Sequence, residues 1–198
     1  KLIQLAAAYA TLARGGEFMS PRFFKNEPQP FPSRIFSPEA SYIITDILSD
    51  PSARVLTFGD FFNQKLPFKI ALKTGTSTHY RDSWIIGYTH EYTIAIWIGN
   101  FDGSSTNGLT GAKGGGPIFI DILNELYPDR FAARFKKPES VIRKTVCSYS
   151  GLVPNSSCPH TKEELFISGF EPQEKCQYHS NDKKFHNLPS QYTDWVYK

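Results

Sequence analysis

Apolar residues recur at spacings of three and four along the first stretch of the chain, at Leu2, Leu5, Ala6, Tyr9, Leu12 and Ala13. That period predicts an amphipathic helix over residues 2–14, and Gly15-Gly16 ends it. Pro21, Pro28, Pro30 and Pro32 make the segment that follows an extended loop or edge segment. Ser37 then offers an N-cap, Pro38 suits the first helical position and Glu39 favours a helix start. Ile43, Ile44, Ile47 and Leu48 predict a buried stripe on this second helix, which stops near Pro51.

From Phe68 the period changes to two. Phe68, Ile70 and Leu72 alternate with Lys69, Ala71 and Lys73, as in a strand with one buried and one exposed face. Residues 83–89 and 92–99 read as two further strands, and their short connections favour an antiparallel meander. Asn100-Phe101-Asp102-Gly103 turns the chain, and a small-residue stretch runs from Ser104 to Gly116. Its glycines and Lys113 lack the Gly-Lys-Ser/Thr ending of a phosphate loop, so they read as a mobile loop near a cleft. A last helical stripe starts after Pro117, with Ile118, Phe119, Ile122, Leu123 and Leu126. Helices before and after a meander predict an α+β fold, an antiparallel sheet packed against helices on one of its faces.

The first strand ends in Lys73-Thr74-Gly75-Thr76-Ser77, which sets small hydroxyl residues around one glycine. Gly75 removes a side chain where another molecule could lie along a strand edge, and its neighbours offer hydroxyl and N–H donors. One cation, several donors and an open edge suit a peptide that carries a carboxylate. Lys-Thr-Gly is also one of three short motifs of penicillin-binding proteins and class A β-lactamases.

The 198 residues hold one full domain and a smaller appendage, with the compositional boundary at 129/130. A formal charge of +3 is small, and no dense basic stripe points to nucleic acid. No run approaches membrane-span length, and no signal peptide is visible. The start at Lys1-Leu2-Ile3, with neither an initiator Met nor an N-cap, predicts a piece of a longer polypeptide.

After Pro128 the composition shifts to Lys, Pro and Ser, with Cys147, Cys158, Cys176 and His179. Cys176 and His179 have the close spacing of half a zinc site, while Cys147 and Cys158 form no short knuckle. A zinc site, one disulfide with a spare thiol, and free thiols all stay open, and so small a module calls for some cross-link. No cofactor is expected and no metal ligand is assigned.

Taken together, these pieces resemble class A penicillin-binding proteins, most closely the 1C type. The helix from Leu5 to Ala13 with Gly15-Gly16 is similar to the family segment that follows its Ser-x-Asn motif. Leu66-Pro67-Phe68 running into Lys73-Thr74-Gly75-Thr76-Ser77, then Arg81-Asp82-Ser83-Trp84 and Gly87-Tyr88, resembles the family's third strand and its sequel. Trp97 to Gly103, Pro117-Ile118-Phe119, and the tail positions Cys147, Ser150-Gly151, Cys158-Pro159, Phe166, Gly169, Pro172, Cys176, His179, Leu188-Pro189 and Trp195 extend the likeness.

The resemblance implies a partial transpeptidase, β-lactamase-like fold over residues 1–129 and a small accessory module over residues 130–198. It implies a serine D,D-transpeptidase that cross-links peptidoglycan stem peptides and is acylated by β-lactams. Lys73 would supply positive charge and a proton path, the hydroxyls of Thr74 and Thr76 would receive the terminal carboxylate, and the Thr76 N–H would form half of the oxyanion hole. Gly75 would let the substrate lie as an added strand, with Ser77 beside it. Arg81 and Asp82 read as a structural pair or turn, and His79 as a solvated loop residue.

No Ser-x-x-Lys occurs ahead of Lys73, and no Ser-x-Asn precedes the first helix. The nucleophile is therefore expected upstream in the same polypeptide, with a glycosyltransferase domain and a membrane anchor that would hold the protein on the extracytoplasmic, periplasmic face of the bacterial inner membrane. The tail would meet a cell-wall or envelope partner. The alternative is a non-catalytic cell-wall binding module.

Overall fold

The structure, a computed structural model, describes residues 1–55, 57, 59, 66 and 68–179. Pro67, Leu188-Pro189 and Trp195 of the likeness above lie outside the described residues. The chain divides into two compact units, Lys1–Pro138 and Glu139–Lys198.

In the first unit, helix α1 (Leu2–Ala13) ends at Gly15 and Gly16, both at positive φ, and the Gly16 N–H donates to the Thr11 carbonyl. Strands β1 (Glu17–Phe18) and β2 (Ser33–Arg34) pair in the proline-rich segment, where Glu17 and Arg34 form an ion pair at 2.6 Å. Helix α2 (Pro38–Leu48) is capped by Ser37, whose hydroxyl accepts from the Ala40 N–H. Strands β3 (Ala71–Thr76), β4 (Asp82–Tyr88) and β5 (Thr93–Gly99) form the antiparallel meander, with β4 in the centre. Helix α3 (Gly111–Leu126) follows.

Helices cover both faces of this sheet rather than one. On one face α3 sets Phe119 against Gly87 and Gly115 against Ile85, so that a Cβ at either glycine would overlap those side chains. On the other, the Tyr88 hydroxyl lies 2.9 Å from Thr45 Oγ1 of α2, and its ring meets Tyr9 of α1 edge-on. Burial pushes the Tyr88 phenol up to about 12, so it stays neutral. Alternation alone could not show this second layer, because Ala71 is as buried as Ile70 and Leu72.

Three expectations about faces and ends change with that packing. β3 begins at Ala71 instead of Phe68. On α2 the buried positions are Ser41 and Thr45, followed by buried Ser49 at the C-cap, and these bring the helix backbone close, whereas Ile44 and Ile47 stand 42% and 58% exposed. The glycine run is no loop, for α3 starts at Gly111 with Thr110 as its cap and carries Pro117 inside. Its buried face is Gly111, Gly115, Phe119, Ile120 and Leu123, which leaves Ile118 and Ile122 exposed.

The core joins Ile70, Leu72, Ile85, Ile94, Phe119, Ile120, Leu123, Tyr127 and Ala132. Buried Arg54 donates to the carbonyls of Ser49, Asp50 and Ile70 and so ties the helical residues 51–55 to the start of β3. The segment after α3 is fixed in turn, since Glu91 accepts from the Tyr127 hydroxyl at 2.7 Å and the Ala133 N–H at 3.0 Å. That anchorage puts the compact boundary after Pro138, beyond the compositional shift at 129/130.

The second unit is built on an antiparallel pair, β6 (Val141–Cys147) and β7 (Thr161–Ile167), which the sequence pattern did not reveal. Arg143, Lys144 and Thr145 occupy both faces of β6 in solvent, so no alternation marks it. No described helix is long and apolar enough to cross a membrane.

Candidate functional site

Lys73 to Ser77 lie at the end of β3, which among the described residues pairs only with β4. The Ser77 N–H donates to the Asp82 carbonyl at 2.9 Å, which makes these two residues a hydrogen-bonded pair. Antiparallel pairs alternate, so the N–H and C=O groups of Gly75 and Lys73 also point to β4, while those of Thr76 and Thr74 point to the open edge. The edge thus offers two N–H donors two residues apart, with Gly75 between them.

Side chains flank that edge on both sides. Lys73, Gly75 and Ser77 share the face of Asp82 and Trp84, and Thr74 and Thr76 share the face of α3. The structure therefore does not place the Lys73 ammonium and the threonine hydroxyls on one face; it brackets the open backbone between them. Lys73 is exposed, and its Nζ donates to the outward Thr74 carbonyl at 2.6 Å. Thr76 Oγ1 accepts a long bond from the Gly111 N–H at 3.4 Å, at the start of α3. Gly111 is small because a Cβ there would overlap the Trp84 carbonyl and crowd the Thr74 side chain.

Gly75 differs from the packing glycines. A Cβ built there meets nothing closer than the Trp84 Cβ at 3.6 Å, an ordinary contact, and its φ lies outside the left-handed region. Nothing in the chain's own folding requires glycine at this position.

Ser77 is engaged with Asp82. Its hydroxyl donates to Asp82 Oδ2 at 2.9 Å and accepts from the Asp82 N–H at 2.8 Å, while Trp97 Nε1 donates to Asp82 Oδ1 at 2.8 Å. Asp82 thus ties the strand end to β5, and with Arg81 it closes the turn that starts at Ser77, the structural role expected of the two residues. His79 and Tyr80 follow in left-handed conformations, and the Tyr80 carbonyl is held by the N–H and hydroxyl of Thr106. Cavities of about 490 Å³ and 540 Å³ lie elsewhere, beside Phe68 and Phe135 and beside α1 and Pro21.

Hydrogen bonds from Trp97 and then Ser77 hold the Asp82 carboxyl below its ordinary value. A depressed folded value contributes stability above the unfolded carboxyl's range, and that contribution is lost as pH falls through the folded value. Acid titration of thermal unfolding is accordingly expected to show a loss below about pH 4 that is smaller in Asp82→Asn. Identical acid profiles for the two proteins would refute the latch.

Cys147, Cys158, Cys176 and His179, which the sequence leaves open, come together in the second unit, one donor atom from each lying within 4.8 Å of the others. The Ser-x-x-Lys spacing does occur once, at Ser180 and Lys183, but after Lys73 and outside the described residues.

Comparison with known proteins matches residues 2–124 to the penicillin-binding protein transpeptidase domain family, and residues 137–181 to the family of the penicillin-binding protein 1A C-terminal domain. The chain is 32% identical over 199 residues to penicillin-binding protein 1A of Clostridium tetani, covering 89% of the chain and 24% of that protein. It is 34% identical over 151 residues to penicillin-binding protein 1C of Escherichia coli, covering 74% of the chain and 19% of that protein. The crystal structure of penicillin-binding protein 1A from Haemophilus influenzae has the same fold over 88% of the chain and 33% of its own, with a TM-score of 0.72 at 19% identity. The chain spans about a quarter or less of the length of these curated relatives.

Proposed function

Because the chain belongs to the class A penicillin-binding proteins through their transpeptidase region, we propose that it forms the Lys-Thr-Gly side of a peptidoglycan D,D-transpeptidase cleft. The observation that carries this reading is the open edge of β3, with the Thr74 and Thr76 N–H groups outward and a glycine between them that the fold does not need. A stem peptide, or a β-lactam in its place, lies along that edge as an added strand, which gives Gly75 its purpose.

In this reading the substrate carboxylate is received by the Thr74 and Thr76 hydroxyls, where α3 begins. The Thr76 N–H donates to the oxygen that becomes negative as the acyl carbon turns tetrahedral. Lys73 lies on the opposite flank as the cation and proton path, and Ser77 acts through Asp82 to hold the strand end in place. The nucleophilic serine comes from upstream in the same polypeptide, because an acyl-enzyme needs one and no Ser-x-x-Lys precedes Lys73. Exposed Ile44 and Ile47 on α2, with Ile3 and Phe36, support a surface completed by that upstream part. The upstream part also carries the glycosyltransferase and the anchor at the extracytoplasmic face of the membrane, and residues 139–198 are an accessory module for a wall or envelope partner.

Gly75→Val tests the reading in the complete polypeptide. Its stability is expected to change by less than about 1 kcal/mol, since a Cβ there makes only an ordinary contact with Trp84 and valine suits a strand. Acylation by penicillin is expected to fall at least about tenfold, the equivalent of roughly 1.4 kcal/mol in the barrier. A folded Gly75→Val protein acylated at the unmodified rate would show that substrate does not lie on this edge, whereas no acylation of the unmodified protein would favour the wall-binding alternative.

A further inference from the structure

We propose that the second unit holds one structural zinc ion between Cys147, Cys158, Cys176 and His179. Cys147, Cys158 and the close pair Cys176 and His179 come from three separate stretches of the chain, yet one donor atom of each lies within 4.8 Å of all the others. His179 Nδ1 is 3.3 Å from Cys176 Sγ and 3.7 Å from Cys147 Sγ. Zinc–sulfur bonds of about 2.3 Å and zinc–nitrogen bonds of about 2.0 Å put tetrahedral ligands roughly 3.5 Å apart, which those separations match.

The backbone around the cluster is arranged to hold thiolates. Cys147 ends β6, and the turn after it closes through the Gly151 N–H to the Cys147 carbonyl, with Gly151 at positive φ. Asn155 joins the other turns. Its N–H donates to Cys158 Sγ at 3.4 Å, and its Nδ2 donates to the carbonyl of Cys176 at 2.7 Å and to that of His179 at 3.3 Å. The Val153 carbonyl accepts from the Cys176 N–H at 2.7 Å, which aligns the 153–155 segment with the last two ligands. Such partners orient the ligands before a metal arrives.

The other chemistries leave groups unused. A disulfide consumes two of the three sulfurs and assigns nothing to the third or to a histidine that is 5% exposed. A cysteine nucleophile paired with His179 needs access, but Cys147 and Cys176 are buried. Three thiolates and one imidazole fill a closed tetrahedral site, so the ion is structural and leaves no position for a substrate. The unit also lacks another source of cohesion: besides the cysteines, Val141 and Val146 are its buried apolar side chains among the described residues. In a module this small a metal centre supplies folding free energy directly.

The test uses the complete natural polypeptide, purified without reductant or chelator. One equivalent of zinc per chain is expected by elemental analysis, reduced at least tenfold in Cys176→Ser and in His179→Ala. Because those variants could lose metal by failing to fold, the unmodified protein is also exchanged into cobalt(II). Thiolate-to-cobalt charge transfer with tetrahedral ligand-field bands is expected, and chelation is expected to open residues 139–179 to protease. Substoichiometric metal in fully reduced protein, octahedral cobalt spectra, or a disulfide among the three cysteines in the protein as isolated would each overturn the proposal. None of these outcomes depends on the transpeptidase reading, which is judged by acylation.

Discussion

Thr76→Pro is expected to slow β-lactam acylation of the complete polypeptide by about a hundred- to thousandfold, the usual cost of one oxyanion-hole donor. Strand alternation from the Ser77 to Asp82 bond turns the Thr76 N–H outward, so proline deletes a donor that the sheet does not use. An edge strand tolerates proline at such a position. Thr76→Val supplies the control, because it removes the hydroxyl and keeps the N–H. Losing a hydrogen bond to a charged carboxylate costs about 1.5–3 kcal/mol, so valine alone is expected to slow acylation roughly ten- to a hundredfold. Stopped-flow acylation rates, with unfolding curves to show that both proteins are folded, decide the matter. Equal rates for the two variants would remove the N–H from the mechanism.

Gly16→Ala is expected to cost roughly 2–6 kcal/mol of stability, the sum of a left-handed alanine and an overpacked contact. Gly16 has φ +95°, and a Cβ there would overlap the Phe36 carbonyl and press on the Ser41 hydroxyl of α2. The same residue accepts from the N–H groups of Ile35 and Phe36, so the entry to α2 is built on it. Neighbouring Gly15, also at positive φ, would meet nothing within 4 Å, and Gly15→Ala carries only the conformational term. Denaturant unfolding should therefore rank Gly16→Ala well below Gly15→Ala. The reverse order would mean that the α1 to α2 connection is not closed in this way.

Helices α1 and α2 and the meander were legible in the sequence because caps, glycines and alternation are local signals. Family membership was legible for the same reason, through Lys73-Thr74-Gly75 and the segments around it. What escaped depends on partners distant in sequence. Ile44 and Ile47 look like a core stripe until Ser41, Thr45 and Ser49 prove to be the face against the sheet. Gly111 to Gly116 look like a loop until the Trp84 carbonyl and Ile85 show why a helix there carries glycine at 111 and 115. The bracketing of the edge by Lys73 on one face and Thr74 and Thr76 on the other follows from alternation, but only after the Ser77 to Asp82 bond sets its phase. Likewise the spacing of Cys147 and Cys158 hid a cluster that only the turns around Asn155 assemble.

The most direct test of the central claim is covalent labelling of the complete natural polypeptide with a fluorescent penicillin, followed by peptide mass mapping, with Lys73→Ala alongside. The account predicts label on a serine upstream of Lys1, at a rate lowered about a hundredfold or more in the variant, as for loss of a proton-transfer group. No label on demonstrably folded protein, or equal labelling of Lys73→Ala, would contradict it.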